Sequence, residues 1–413
     1  LRSELVYSMK KIGSGAIVFS GYAFKSKDLG SYGIPVVKIK NVNNRIVTLS
    51  NVEYFPNEKV TEKLRKFFLE NGDLLIAMTG QGSVGRVGKL RLSSNQKVLL
   101  NQRVGKFIIE SDSLDKEFLY QIISSPYYEQ ILFDAGNGSG QPNLSPDAIL
   151  DVEIPFPDIF IQRKIAKILS SLDDKVWFLQ RQNEILEKII QSIFKSWFID
   201  FDGQTEFVDS ELGEIPKGWE VCSLKEVLSL LKDGSHNPPQ RVKEGIKFIA
   251  GASDLKHFEI DFTNCTYITK EEYEKIHKYW EIKSDDILLT IVGTVGNIGI
   301  VKEFDLPFSL QRSIAVLRPN DKIDFVFLYC LLNTIEFEQF LYANINPTGQ
   351  PGIYLGTLSE FKIVLPSQEL IKSFSKISKP IISLIQKNYE NIRMLKNIRD
   401  YLLPKLMSGE IRV

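Results

Sequence analysis

The chain has 413 residues, 43% of them hydrophobic and 25% charged, with 51 basic against 51 acidic side chains and a formal net charge of zero. Such a length supports two or three domains, each large enough to bury a core, and the composition is that of an ordinary globular protein. The neutral balance argues against a free-standing nucleic-acid binder of the usual basic kind, although one face can be basic while the rest is not.

At the start, Leu1-Arg2-Ser3-Glu4 lacks the basic-then-apolar order of a signal peptide, and no apolar run approaches the ~20 residues of a spanning helix. A cytoplasmic protein without a membrane partner is expected. Residues 1 to about 157 are strand-rich, with short β-branched runs such as Ile34 to Ile39 and Val98-Leu99-Leu100 between Gly, Asn and Pro turns. An amphipathic helix is predicted around Phe118 to Ile123. After Pro157 the texture becomes helical, with apolar residues at Ile161, Ile165, Ile168, Leu172, Val176, Leu179, Leu186, Ile190, Ile193 and Trp197 and a polar Asn183 in the series. Spacings of 4 and 3 with one extra 4 make this a heptad seam with a stutter, and Ser171-Leu172-Asp173-Asp174 can start a second helix there. Residues 201 to 215, polar and Gly-containing, read as a linker.

From 216 to 366 the strand-rich texture returns, with Ile314 to Leu317 as a strand and Phe325 to Leu332 as a helix. A second seam then runs Leu370, Phe374, Ile377, Ile381, Leu384, Asn388, Ile392, Leu395, Ile398, Leu402, and Pro380 should break or kink it. The domains expected are therefore 1–157, a central helix 158–200, the linker 201–215, a second domain 216–366 and a C-terminal helix 367–413. The class is α+β.

The two halves repeat. Gly72 to Ala77 recurs as Asp285 to Thr290, Gly82-Ser83-Val84-Gly85 as Gly293-Thr294-Val295-Gly296, and Asn101-Gln102-Arg103 as Leu310-Gln311-Arg312. Gly140-Gln141-Pro142 matches Gly349-Gln350-Pro351, and Val152 to Pro155 matches Ile363 to Pro366, all at offsets between 209 and 213. A period this long means two whole domains. Each long helix has two ways to bury its stripe, on its own domain or on the other helix. Pairing of the two helices is the better solution, antiparallel because a whole domain separates them in sequence, with the domains at opposite ends and the seam asparagines fixing register.

Few motifs carry chemistry. Gly80-Gln81-Gly82-Ser83-Val84-Gly85 fits a dinucleotide fingerprint, but the second copy lacks its first glycine and the residues after Gly85 read as strand or turn rather than a helix. Gly88-Lys89 has the wrong glycine spacing for a P-loop, and Leu90 stands where a hydroxyl should ligate magnesium. Asn237-Pro238-Pro239-Gln240 resembles the Asn-Pro-Pro-aromatic motif of amino-methyltransferases, but Gln240 replaces the aromatic, and a proline-stiffened turn is the better reading. His236, His257 and His277 have no carboxylate or cysteine grouping to complete a metal set, and Cys222, Cys265 and Cys330 lack CxxC spacing and read as reduced thiols. No catalytic or metal residue is expected.

The duplicated features are parts of a binding scaffold. Candidate DNA contacts in the first copy are Lys25, Lys27, Lys40, Asn43, Arg45, Gln81, Arg86, Gln102, Arg103 and Gln141. In the second they are His236, Asn237, Arg241, Lys243, Thr294, Asn297, Gln311, Arg312 and Gln350. Arg and Lys can bond guanine and Asn and Gln adenine, while Lys and loop amides neutralise phosphates; the bland alternative for each is a solvated or structural side chain.

Two variable α+β domains alternating with two long helices, together with Ser20 to Ser26, Gly140-Gln141-Pro142, Leu212 to Trp219 and Asp233-Gly234-Ser235-His236, resemble the specificity subunit of type I restriction-modification systems. The resemblance covers nearly the whole chain. It implies that each domain is a target recognition domain reading one half of a split double-stranded DNA site, and that the helices are spacer and docking surface for two methyltransferase subunits. Cofactors are expected on partners, S-adenosylmethionine with the methyltransferase and ATP and magnesium with the restriction subunits, and none on this chain. One departure is that the first copy lacks an upstream equivalent of the Gly213 to Trp219 segment. Helices of about 30 to 36 residues span ~45 to 54 Å, against ~34 Å per turn of DNA, which predicts half-sites about one to one and a half turns apart. The alternatives are a self-sufficient methyltransferase built on Asn237-Pro238-Pro239 and a coiled-coil scaffold that binds protein.

Overall fold

A computed structural model describes residues 7–93, 95–136, 142–251, 254–256, 258–262, 264–346 and 350–413. The chain divides into two compact units, the chain through Trp177 with Arg393–Val413, and Phe178–Ile392. Each unit thus takes part of both long helices.

In the first unit a sheet runs in the order Ala16–Ser20, Val104–Ile109, Leu74–Ala77, Val87–Leu90, and is extended by Arg45–Val47 and Val42–Asn43. A second sheet joins Glu53–Phe55, Ile34–Val37 and Leu99–Leu100, the last pair parallel. The second unit repeats this order with Leu228–Asp233, Ile314–Pro319, Ile287–Thr290 and Ile298–Ile300, and again has a parallel pair, Ile246–Ile249 with Phe308–Leu310. A short pairing precedes each long helix: Met9–Lys11 with Glu153–Pro155, and Glu220–Ser223 with Lys362–Leu365.

The local causes repeat too. Asp115 and Asp324 cap the helices Lys116–Ile123 and Phe325–Leu332, each accepting from the backbone N–H three residues on at 2.9 Å. Asp73 and Asp286 are buried carboxylates that each accept a backbone N–H at 2.8 Å from three residues upstream. The residues before them, Gly72 and Asp285, both have positive φ (84° and 68°). At the second the turn places a β-substituted side chain in a backbone region that glycine enters more cheaply.

The central helix is Ile159–Phe198 and the C-terminal helix Gln368–Ser408. Neither breaks where the sequence suggests. Ser171 to Asp174 lie inside one helix, and Pro380 lies inside the other, because a proline removes one donor while the packing of Phe374 on one side and Ile382 on the other holds the turn. The segment expected as a linker holds a hairpin, Phe207–Ser210 with Gly213–Pro216.

The buried stripes also differ from the expected seams by one residue in places. Ile168 and Leu384 are exposed, and Leu172, Ile193, Ile381 and Leu395 only partly buried, whereas Leu169, Asp173, Phe194, Ile382 and Ile385 are buried. The true stripes contain Gln162, Asp173, Ser378 and Arg399, and a reading that follows apolar residues slides to their neighbours. Val176, Leu179, Asn183, Ile190, Asn388 and Ile392 are buried, and Leu186 is partly so.

In the first unit, Ile165, Leu169, Leu403 and Leu406 share one core with Ile12, Phe118 and Ile154. In the second, Phe194, Phe198, Phe374 and Ile385 share a core with Trp219, Phe327 and Ile363. There the helix segments run antiparallel, since Asn183 meets Asn388 while Phe194, further along, meets Phe374, further back. The helices therefore pair and pack on the domains at once.

Candidate nucleic-acid interface

Each copy has a tightly held turn that begins with a glycine. A Cβ on Gly21 would lie well under 3.0 Å from the carbonyl oxygens of Leu100 and Asn101, and one on Gly234 would collide likewise with that of Leu310. This close approach lets Tyr22 N–H donate to Leu100 O (2.9 Å) and Ser235 N–H to Leu310 O (2.9 Å). The opposing turn answers: Gln102 N–H donates to Tyr22 O (2.8 Å) and Arg312 N–H to Ser235 O (3.1 Å).

These bonds correct the repeat alignment. Asn101 N–H donates to Val37 O, and its counterpart in the bond pattern is Gln311 N–H to Ile249 O; Arg103 O accepts from Met78 N–H, and Ser313 O from Ile291 N–H. Gln102 is thus equivalent to Arg312, and Arg103 to Ser313, one residue away from the match by residue type. Matching Gln-Arg to Gln-Arg failed because side-chain identity is free at an exposed turn whereas backbone bonding is not.

Other loops carry further contacts of their own. In the first unit, Gly80 lies against Ile39, and Thr79 bridges Asn143. Gln81, Lys25, Lys27, Lys40, Gln102 and Arg103 are exposed. Lys38 holds Glu53 at 2.5 Å and, with Lys40 at 3.8 Å, keeps its carboxyl below the usual range. In the second unit, Ser235 Oγ donates to Asn237 O (2.6 Å), Gly293 N–H donates to Pro351 O (2.7 Å), and Ser313 Oγ donates to Ala250 O (2.9 Å). His236, Asn237, Lys243, Thr294, Arg312 and Gln350 are exposed, and Gln311 and Asn297 half-buried. His236 Nε2 is 2.7 Å from Asp233, and the Arg241 guanidinium lies 3.8 Å over the Phe248 ring, where burial pulls its pKa down.

Some candidates sit elsewhere. Arg45 does not face solvent: its Nη2 pairs with Asp173 at 2.7 Å and with the Gln121 carbonyl, and its guanidinium covers Tyr120. Asp173 also accepts from Gln121 Nε2 (2.8 Å) and from Arg399 Nη1 (2.8 Å). Burial pushes the Asp173 carboxyl up, but Arg45 and Arg399 more than offset this and hold it below its usual value. Arg45 is an interior tie and leaves the set of DNA contacts. Asn43 is half-buried and donates to Thr48 Oγ1 (3.2 Å), and Arg86 is 3.8 Å from Glu129. Gln141 lies outside the described residues. The sequence reading missed Tyr22, an exposed aromatic on the clamped turn next to Phe24 and Phe67; an aromatic directly after the turn glycine was the available signal.

The glycine-rich loop has a structural account. Gly80, Gly82 and Gly85 all have positive φ, and the residues after Gly85 form the strand Val87–Leu90. A Cβ on Gly85 would meet the backbone of Glu129 and Phe133, so this glycine lets a helix approach. Among the described residues no group of three or more His, Cys, Asp or Glu is placed to hold a metal, and no helix is long and apolar enough to cross a membrane. His277 is packed between Tyr273 and Trp280 against Ser309, and burial lowers its pKa to about 4.

Comparison with known proteins agrees with this duplicated layout. The family model described as type I restriction modification DNA specificity domain matches twice, over residues 7–188 and 216–398. The type I restriction enzyme MjaIX specificity subunit of Methanocaldococcus jannaschii is 30% identical over 94% of this chain and 89% of its own length. The EcoBI specificity subunit of Escherichia coli is 24% identical over 96% and 85%. The crystal structure of a type I restriction-modification S subunit from M. genitalium has the same fold, with a TM-score of 0.55, 18% identity and coverage of 98% and 97%.

Proposed function

Because this chain belongs to the type I restriction-modification DNA specificity family, we propose that each of its two α+β domains reads one half of a split duplex DNA site. The chain is a DNA-recognition subunit. The observation that carries the two-reader form is the repeated frame: the same strand order, the same capped helices and the same glycine-clamped turn occur twice, while the exposed residues on the turns differ. Equal frames deliver side chains to equal places, and unequal side chains recognise unequal sequences.

In this reading the two long helices set the spacer between half-sites and dock two methyltransferase subunits, and restriction subunits join through the complex. Those partners hold S-adenosylmethionine, ATP and magnesium, and this chain contributes no reacting group. Lys25, Lys27, Lys40 and Lys243 supply phosphate contacts, and the turns around Gln102 and Arg312 supply base contacts. The complex works in the cytoplasm.

Sequencing of modified bases in cells that carry the intact system tests this directly. A bipartite motif is expected, and replacing residues 216–366 with the equivalent domain of a relative should change one half only. A change in both halves would overturn the two-reader assignment. Binding of radiolabelled S-adenosylmethionine by the isolated chain would favour a self-sufficient methyltransferase instead.

A further inference from the structure

We propose that Gln102 and Arg312 are equivalent base-reading residues, Gln102 contacting an adenine in one half-site and Arg312 a guanine at the corresponding position of the other. The assignment rests on the two-reader function above and adds the residues and the bases.

Three positions form each turn. The first, Asn101 or Gln311, is half-buried, with its N–H bonded to the neighbouring sheet. The third is exposed as Arg103 in one unit, but in the other it is Ser313, whose Oγ is bonded to Ala250 O at 2.9 Å. Only the middle position is exposed in both units. Its own N–H is bonded to the residue after the clamped glycine, and the carbonyl of the next residue accepts from Met78 or Ile291, each just past the end of a strand. A side chain that starts from a backbone pinned on both sides has a defined direction, as base reading requires.

The residue types decide between reading and mere charge neutralisation. A neutral Gln is a poor phosphate anchor, yet it takes the place of an Arg at an equivalent site. Gln and Arg share the ability to bond a base edge in a two-pronged manner, Gln to adenine N6 and N7 and Arg to guanine O6 and N7. Exchange of one for the other in an unchanged frame is what a change of target base looks like. The exposed Arg103, Lys25 and Lys40 suit phosphates instead.

The test uses the assembled complex in cells, with modified-base sequencing of the wild type and of Gln102→Ala, Arg312→Ala and Gln102→Arg. Gln102→Ala should relax one A·T position in one half-site, and Arg312→Ala one G·C position in the other. Each should lose about tenfold to a hundredfold in discrimination there, with the spacer and the remaining positions unchanged. Gln102→Arg should move that adenine position toward guanine. Melting temperatures should match the wild type, because both side chains are exposed. A bipartite motif that survives all three substitutions, or that weakens uniformly at every position, overturns this assignment while leaving the two-reader function intact. A wild-type complex with no bipartite motif overturns both.

Discussion

Asp173 of the central helix and Arg399 of the C-terminal helix, 226 residues apart in sequence, are joined inside the first unit by a 2.8 Å hydrogen bond between Oδ1 and Nη1. The other carboxylate oxygen holds Arg45 of the recognition domain, so one buried side chain ties a strand and two helices together. Arg45 and Arg399 are 12% and 11% exposed; Asp173 compensates both charges, and Arg399 is also held by the exposed Asp400 at 2.8 Å. Asp173→Ala is expected to destabilise the first unit by about 3 to 5 kcal/mol, because the Arg45 guanidinium is left buried without its counter-charge and Arg399 is left with the exposed Asp400. The folded carboxyl lies below its unfolded pKa, so this contribution is complete above roughly pH 4 and is lost as pH falls through the folded value. Urea unfolding of wild type and Asp173→Asn between pH 7 and 3 checks this; equal acid sensitivity would count against the tie.

Asn388 Nδ2 donates to Asn183 Oδ1 at 2.8 Å, and both residues are buried. Replacing either with Leu takes away the other's partner across the seam, leaving Asn388 its bond to Gln182 (3.0 Å) or Asn183 its long bond to Ile385 O (3.4 Å), at a cost of about 1 to 3 kcal/mol. The double Leu variant should recover most of that loss and loosen the register of the helix pair. A double-mutant cycle measures it, and additive losses would contradict the pairing.

Gly21→Ala and Gly234→Ala each force a methyl group against backbone carbonyls that cannot turn away. Each should cost about 1 to 3 kcal/mol. Each should also degrade recognition of one half-site while sparing the other. Modified-base sequencing and thermal melts on the same samples separate local misplacement of the turn from global unfolding.

Removing one heptad from each long helix shortens it by about 10.5 Å, equivalent to about three base pairs of DNA. The half-site sequences should stay as they are and the spacer should contract by about three base pairs. An unchanged spacer would show that the helices are not the ruler.

The duplication, the α+β class and the two long helices were legible because they rest on periodicity and on residue types that a fold needs twice. Asp73 and Asp286 are one such pair, and the capping aspartates Asp115 and Asp324 are another. Three features were not legible. The stripe positions Asp173 and Arg399 are polar, and their mutual compensation is invisible until the helices are side by side. Arg45 looks like a phosphate contact in a basic loop, and only its position against Tyr120 and Asp173 turns it inward. Continuity of the C-terminal helix through Pro380 depends on packing at Phe374 and Ile382 that local propensity does not include.

By itself the sequence determined that one frame is used twice, since hydrophobic spacing, turn glycines and caps are local properties of the chain. Which residue of one copy stands for which residue of the other was decided only by tertiary structure. Matching by type paired Gln102 with Gln311, whereas backbone hydrogen bonds pair it with Arg312. The physical reason is that an exposed side chain is free to vary, while a buried backbone donor must find its acceptor.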